Sequence, residues 1–96
     1  MIKLYIDDVR TPQEDWTVIR KIPNAINFII EHEDEIEVIS LDHDAAQYTI
    51  NGHDYVYILN WLEETGRNYP IHIHSMNPYG AQRMRQIIQR NGWTEI

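Results

Sequence analysis

The chain has 96 residues, 15 of them acidic against 8 basic, for a formal net charge of −7 with histidine neutral. Hydrophobic residues make up 43% and charged residues 24%, a globular balance that argues against general disorder and predicts one domain over residues 1–96, burying about two-thirds of its unfolded surface. The acidic balance works against a broad, non-specific nucleic-acid-binding surface, whose affinity comes largely from Lys and Arg neutralising phosphates, and the absence of cysteine excludes disulfides, a thiolate zinc site and a cysteine nucleophile.

Any metal must therefore be held by oxygen or imidazole. No apolar run approaches the roughly 20 residues that span a bilayer, and the first residues lack the basic and apolar regions of a signal peptide. The expectation is a cytoplasmic protein with no membrane partner. The charge is uneven: "EHEDEIE", Glu31–Glu37, is an acidic block, whereas Arg67, Arg83, Arg85 and Arg90 fall in the last third.

The opening "IKLYIDD" alternates Ile2, Leu4 and Ile6 and predicts a strand ending at Asp7 and Asp8. "VRTPQEDW" reads as a loop, with Thr11-Pro12 favouring an extended or turn conformation. From Asn24, a good N-cap just after Pro23, the apolar residues Ala25, Ile26, Ile29 and Ile30 predict one buried helical face. "EVISLDHD" predicts a second strand, with Val38, Ile39 and Leu41 suited to a sheet covered on both faces. Asn51-Gly52 is a hairpin signal, but Tyr55, Ile58, Leu59 and Leu62 follow helical spacing, Asp54 can cap and Gly66 can stop the turn, so a helix is expected there. "PIHIHS" predicts a third strand. Asn77-Pro78 opens a third helix that buries Met84, Ile87 and Ile88 and ends at Asn91-Gly92, after which "WTEI" can add a short last strand.

Alternating strands and helices of this kind predict a small three-layer α/β/α parallel sheet with about four strands and three helices. Ligands bind such sheets beyond the carboxyl ends of the strands. Asp7 and Asp8, then Asp42, His43 and Asp44, then His74, Ser75 and Asn77 all stand at those ends, and they share one edge if the first strand lies in the middle. Carboxylates gathered in this way repel one another unless a proton or a cation intervenes. The expected metal ligands are Asp7, Asp8 and Asp42, with hard oxygen donors favouring Mg²⁺ or Mn²⁺; the lesser alternative is that one or more of them cap a loop or the following helix. His43 and His74 are the candidates for acid–base work near neutral pH, while His72, His32 and His53 read as structural or surface residues. Ser75 and Asn77 precede a helix whose free N–H groups suit a phosphate, although Asn77 could simply cap it. Arg10 could contact the same phosphate or pair with Asp8.

In "YIDDVRTP", "ISLDHD", "NGHDYVYILNWLEE" and "IHIHSMNPYGAQRM" the chain resembles the cyclic-phosphate-processing receiver-like domains, a reduced relative of the response-regulator receiver fold. The resemblance runs from the first strand through the third helix and implies a receiver- or flavodoxin-like sheet that acts on cyclic or terminal phosphates of nucleotides or RNA. By position it implies functional roles for Asp7, Asp8, Arg10, Asp42, His43, Asp44, Gly52, Asp54, His74, Ser75 and Asn77. Lys3 and Lys21 are the only lysines and both come too early to match the lysine after a receiver's fifth strand, so phospho-aspartate signalling through Asp42 is not expected.

These residues and the resemblance lead to the expectation of a metal-dependent phosphoesterase for 2′,3′-cyclic RNA ends or cyclic nucleotides. His43, His74 and Asp42 are the expected catalytic residues, and Arg10, Ser75 and Asn77 the expected substrate-binding residues. The alternative is a non-catalytic module that captures a nucleotide in the same pocket, or a protein through Trp16, Tyr48, Tyr57 and Trp61. A homodimer through the second helix is compatible with both.

Overall fold

The computed structural model describes every residue except 14 and 50. Its elements are β1 (Ile2–Ile6), β2 (Trp16–Ile19), α1 (Ile22–Glu31), β3 (Ile36–Leu41), a short 3₁₀ turn (Ala46–Tyr48), α2 (Val56–Glu64), β4 (Ile71–Ile73) and α3 (Pro78–Arg90). The four strands form one parallel sheet in the order β2-β1-β3-β4, and four strands with three helices is the small receiver-like α/β architecture that the sequence predicts.

The register explains which face became the core. Leu4, Ile39 and Ile71 stand abreast, as do Tyr5, Ser40 and His72 one residue further on. Successive strand residues point to opposite faces, so Leu4, Ile6, Ile39, Leu41 and Ile71 project to one side. There they join Ile22, Ala25 and Ile29 of α1, Ile58, Leu59 and Leu62 of α2, and Met84, Ile87 and Ile88 of α3 in one buried cluster. The crossovers β2-α1-β3 and β3-α2-β4 run the same way along the sheet. Right-handed connections with a common direction put both helices on the same face, and α2 also packs against α1 and α3. The layers are therefore two rather than three. The opposite face carries Lys3, Tyr5, Trp16, Val38, Ser40 and His72 in place of helices.

The missing layer traces to the connection between β1 and β2. That pair is parallel, yet only residues 7–15 join its strands, too few for the usual helical crossover. Polar groups order this loop instead. Asp7 Oδ1 accepts from the backbone N–H groups of Val9 and Arg10 at 2.9 Å each. Arg20 donates to the carbonyls of Asp7 and Arg10 and to Thr11 Oγ1.

Several local expectations are corrected. The sequence reading assigned no strand to Trp16–Ile19; its Thr-Val-Ile run has the β-branched composition of one. β3, not β1, lies between the ends that carry Asp7 and His74. α1 begins at Ile22 with Lys21 at the N-cap and Pro23 in the first turn, so Asn24 is inside the helix; Ile30 is 48% exposed because Ile22, Ala25 and Ile29 already fill the narrow buried stripe. Asp54 does not cap α2, for its Oδ1 is occupied by Ala45 N–H and Thr49 Oγ1. The Asn51-Gly52 turn keeps the left-handed backbone of a hairpin turn, φ +52° and +77°, but leads into the helix. "WTEI" contributes a single parallel bridge, Ile71 to Glu95, rather than a strand. No helix of the described residues is long and apolar enough to cross a membrane.

Candidate active site

Because every strand is parallel, the strands all end at one edge of the sheet, and the loops that follow β1, β3 and β4 meet there. One carboxylate oxygen from each of Asp7, Asp8 and Asp42 lies within 4.8 Å of the others. Asp7 and Asp42 are buried and Asp8 is half-buried. The ladder continues into this edge: Asp42 N–H donates to Ile6 O at 3.0 Å and His74 N–H to Leu41 O at 3.0 Å. The residues after each strand are thus held by the sheet itself.

Asp7 is the most constrained member. Besides its two backbone donors, its Oδ2 accepts from His74 Nε2 at 2.9 Å. Burial alone would raise its pKa, but the N–H groups of Arg10 and Val9, with Asp8 and His74, outweigh that and hold Asp7 below the ordinary carboxylate range. The neighbouring Asp8 goes the other way: burial first, then the proximity of Asp7 and Asp42, raises it. A divalent cation among the three would relieve the repulsion between these carboxylates. The donor set, three carboxylates with no sulfur and an oxygen from each close together, fits a hard cation such as Mg²⁺ or Mn²⁺.

His74 reaches Asp7 across an intervening strand because residue 40 is small. On β3, Ser40 leaves room for the imidazole and donates its hydroxyl to His74 Nδ1 at 2.7 Å, while the Tyr5 ring stacks on the imidazole with centroids 4.3 Å apart and planes 8° from parallel. Ser40 acts as donor and Asp7 as acceptor, which fixes the neutral tautomer with hydrogen on Nε2. Burial lowers the His74 pKa, and Asp7 only partly offsets it, so this ring is neutral at pH 7. With both nitrogens engaged, His74 holds Asp7 in place.

His43 has a different environment. Its Nδ1 pairs with Asp44 Oδ1 at 2.9 Å, and its backbone N–H donates to Asp42 Oδ1 at 2.7 Å. Its Nε2 is buried without a partner among the described residues, an uncommon condition for a buried polar atom. The ring lies against Gly80 in the first turn of α3, where a Cβ would come within 2.2 Å of His43 Cγ. His43, Asp44 and Asp54 also bring one ligand atom each within 4.8 Å of one another, with Asp54 tying down the turn that follows.

Asn77 is committed largely to structure: its Oδ1 accepts from Tyr79 and Gly80 N–H at 3.1 Å each, capping α3. Its amide nitrogen is the group left for a ligand. Ser75 Oγ accepts from Asn77 N–H at 3.1 Å and keeps its own hydrogen to donate. Arg10 Nη1 donates to the His74 carbonyl at 3.0 Å, and its Nε stands 3.9 Å from Asp7 Oδ2, with the side chain 40% exposed. It pairs with Asp7 rather than Asp8 and ties the first loop to the third. Gly52 lies in an exposed turn of its own.

Sequence reasoning missed Ser40, Gly80 and Arg20. A serine inside the apolar "VISL", and a glycine in the first turn of a helix, were the available signals. Arg20 and Tyr55 form a further support, since the Tyr55 hydroxyl donates to Arg20 O at 2.7 Å and burial, reinforced by Asp8, Asp7 and Asp42, raises its pKa far above that of a free phenol. Of the aromatic residues set aside for a partner, Trp61 is covered by the Arg67 guanidinium at 4.6 Å and Trp16 packs edge-on against Tyr5 at 5.7 Å.

Comparison with curated proteins and with solved structures returned no match. The family model of the cyclic-phosphate processing receiver domain matches residues 2–90, a span that contains the whole sheet, all three helices and every strand end described above. With that match and the parallel receiver-like sheet together, the chain belongs to the cyclic-phosphate processing receiver domain family.

Proposed function

We propose that the protein is a metal-dependent phosphoesterase that opens cyclic phosphates, either the 2′,3′-cyclic ends of RNA or cyclic nucleotides. The observation that carries this reading is the meeting of the Asp7, Asp8 and Asp42 carboxylates at the strand edge that also bears His43, whose buried Nε2 has no partner among the described residues. Asp7, Asp8 and Asp42 would hold a divalent cation, which when bound would supply Lewis acidity and acidify a water for attack. Hydrolysis adds the water oxygen to phosphorus and breaks one ring P–O bond, leaving a phosphomonoester and a free hydroxyl. The departing alkoxide needs a proton, and His43 Nε2 gives it while Asp44 at Nδ1 stabilises the imidazolium. The water's first proton passes to solvent as the water is activated, its second stays on the new phosphomonoester until that group ionises, and solvent returns a proton to His43. His74 serves by holding Asp7, a narrower role than the acid–base role expected of it. The Ser75 hydroxyl, the Asn77 amide and Arg10 orient the non-bridging oxygens.

The test is a panel of 2′,3′-cyclic-phosphate oligonucleotides and cyclic nucleotides, incubated with Mg²⁺ or Mn²⁺ and resolved by chromatography. Ring opening is expected with metal and is lost in chelator, and His43→Gln lowers turnover roughly a hundredfold. Equal turnover in chelator, or in both His43→Gln and Asp42→Asn, would end the proposal.

A further inference from the structure

An open surface groove of about 470 Å³ lies between the end of β2, α1 and the 3₁₀ turn that follows the Asp42-His43-Asp44 segment. Its walls include Arg20, Lys21, Asn24, Asn27, Phe28 and Tyr48. The groove adjoins the carboxylate edge through Arg20, one of its walls, which donates to the backbone carbonyl of Asp7 at 3.1 Å. A second link is Tyr48, four residues beyond Asp44.

From this composition we infer that the groove is a nucleobase subsite of the strand-edge phosphate site. The choice of ligand rests on the cyclic-phosphate reading above. Its volume is in the range of small-ligand pockets. Phe28 and Tyr48 are half-buried aromatics packed against the core; the His32 ring already lies on Phe28 at 4.3 Å, so Tyr48 is the face offered for stacking a base and Phe28 an apolar wall. The exposed amides of Asn24 and Asn27 lie one helical turn apart on the same side of α1, spaced to read the polar edge of that base. The cationic end, Lys21, is next to Arg20 and hence toward the Asp7 loop, where a nucleotide's phosphate would enter the site. Glu31, two turns along α1 from Asn24, also lines the groove and makes its far end unfavourable for phosphate but suitable for an exocyclic amino group. A ligand fitting both ends is a nucleoside whose sugar-phosphate side points to the carboxylates.

The experiment uses the intact chain, isotopically labelled, titrated with adenosine, guanosine, cytidine and uridine. Free nucleosides carry no phosphate, so a failure here is distinguishable from a failure of the phosphoesterase reading. Saturable amide shifts at Asn24, Asn27, Phe28 and Tyr48 are expected for at least one nucleoside. Asn27→Ala, an exposed substitution that leaves the core alone, lowers its affinity about tenfold, the size of a lost base contact. Tyr48→Leu removes the stacking ring while leaving an apolar side chain against the core, with a similar loss. Should no nucleoside give saturable shifts, or should the shifts map elsewhere and survive both substitutions, the inference is overturned, whatever the enzyme does to cyclic phosphates.

Discussion

Gly80→Ala tests the packing of the candidate general acid with a single methyl group. A Cβ at this position would come 2.2 Å from His43 Cγ, 2.5 Å from Cδ2 and 2.7 Å from Cβ. Carbon atoms pack at about 3.5–4.0 Å, so the imidazole must withdraw by about 1.3 Å or more. Neither Cγ nor Cβ is the free end of a flexible chain. The ring is also held on its other side by Asp44, and its own carbonyl accepts from Tyr55 N–H at 3.1 Å. In an ordinary helical position, exchanging glycine for alanine stabilises by up to about 1 kcal/mol. Overpacking costs about 1–3 kcal/mol, so with the full helical gain set against it the net here is a loss of up to about 2 kcal/mol, and a domain of this size then melts up to about 16 °C lower. Urea denaturation followed by tryptophan fluorescence measures the stability, and the His43 imidazole resonances report the ring. Turnover of a cyclic phosphate should fall at least about tenfold. A variant as stable as the parent or more so, with unchanged His43 resonances, would refute the close contact and the positioning role derived from it.

His74 gives a pH dependence with a defined sign. Its folded-state pKa lies below the ordinary 6.5, so the unfolded chain binds this proton more tightly, and stability falls as pH drops below about 6.5 and returns above it. Denaturation series at pH 7.5 and 5.5 should show a smaller loss in His74→Gln than in the parent; an equal loss would contradict the buried neutral imidazole. Asn77→Ala removes the cap of α3 and is expected to cost about 1 kcal/mol. Asn77→Asp keeps the cap and restores stability but sets a negative charge beside the phosphate position, raising KM for a cyclic phosphate. A KM unchanged by Asn77→Asp would remove Asn77 from the substrate contacts.

Periodicity carried the sequence reading furthest where one face of an element is buried. The helical spacing of Ile58, Leu59 and Leu62, and of Met84, Ile87 and Ile88, is the spacing of core residues in α2 and α3. The polar residues after "LYI" and "VISL" stand at strand ends because a parallel sheet sends all its carboxyl ends to one edge. β2 was illegible for lack of length: four half-buried residues leave no periodic signal. With it went the layering, which depends on the connection from β1 to β2 having no helix. Local capping rules misread Asp54, whose carboxylate serves a turn nine residues earlier. Contacts between distant residues were the other loss. Ser40 with His74, and Gly80 with His43, are pairings across the fold that no spacing rule encodes, and they decide which of the two histidines keeps a free ring nitrogen.

The central claim is that Asp7, Asp8 and Asp42 form one cation site. Titrating Mn²⁺ into the protein and following water-proton relaxation measures this directly. One equivalent per chain is expected, with affinity weakening toward acid pH as Asp8, whose pKa is raised, takes up its proton, and with binding lost in Asp42→Asn. No saturable binding, or binding equal in the parent and Asp42→Asn, would contradict the account.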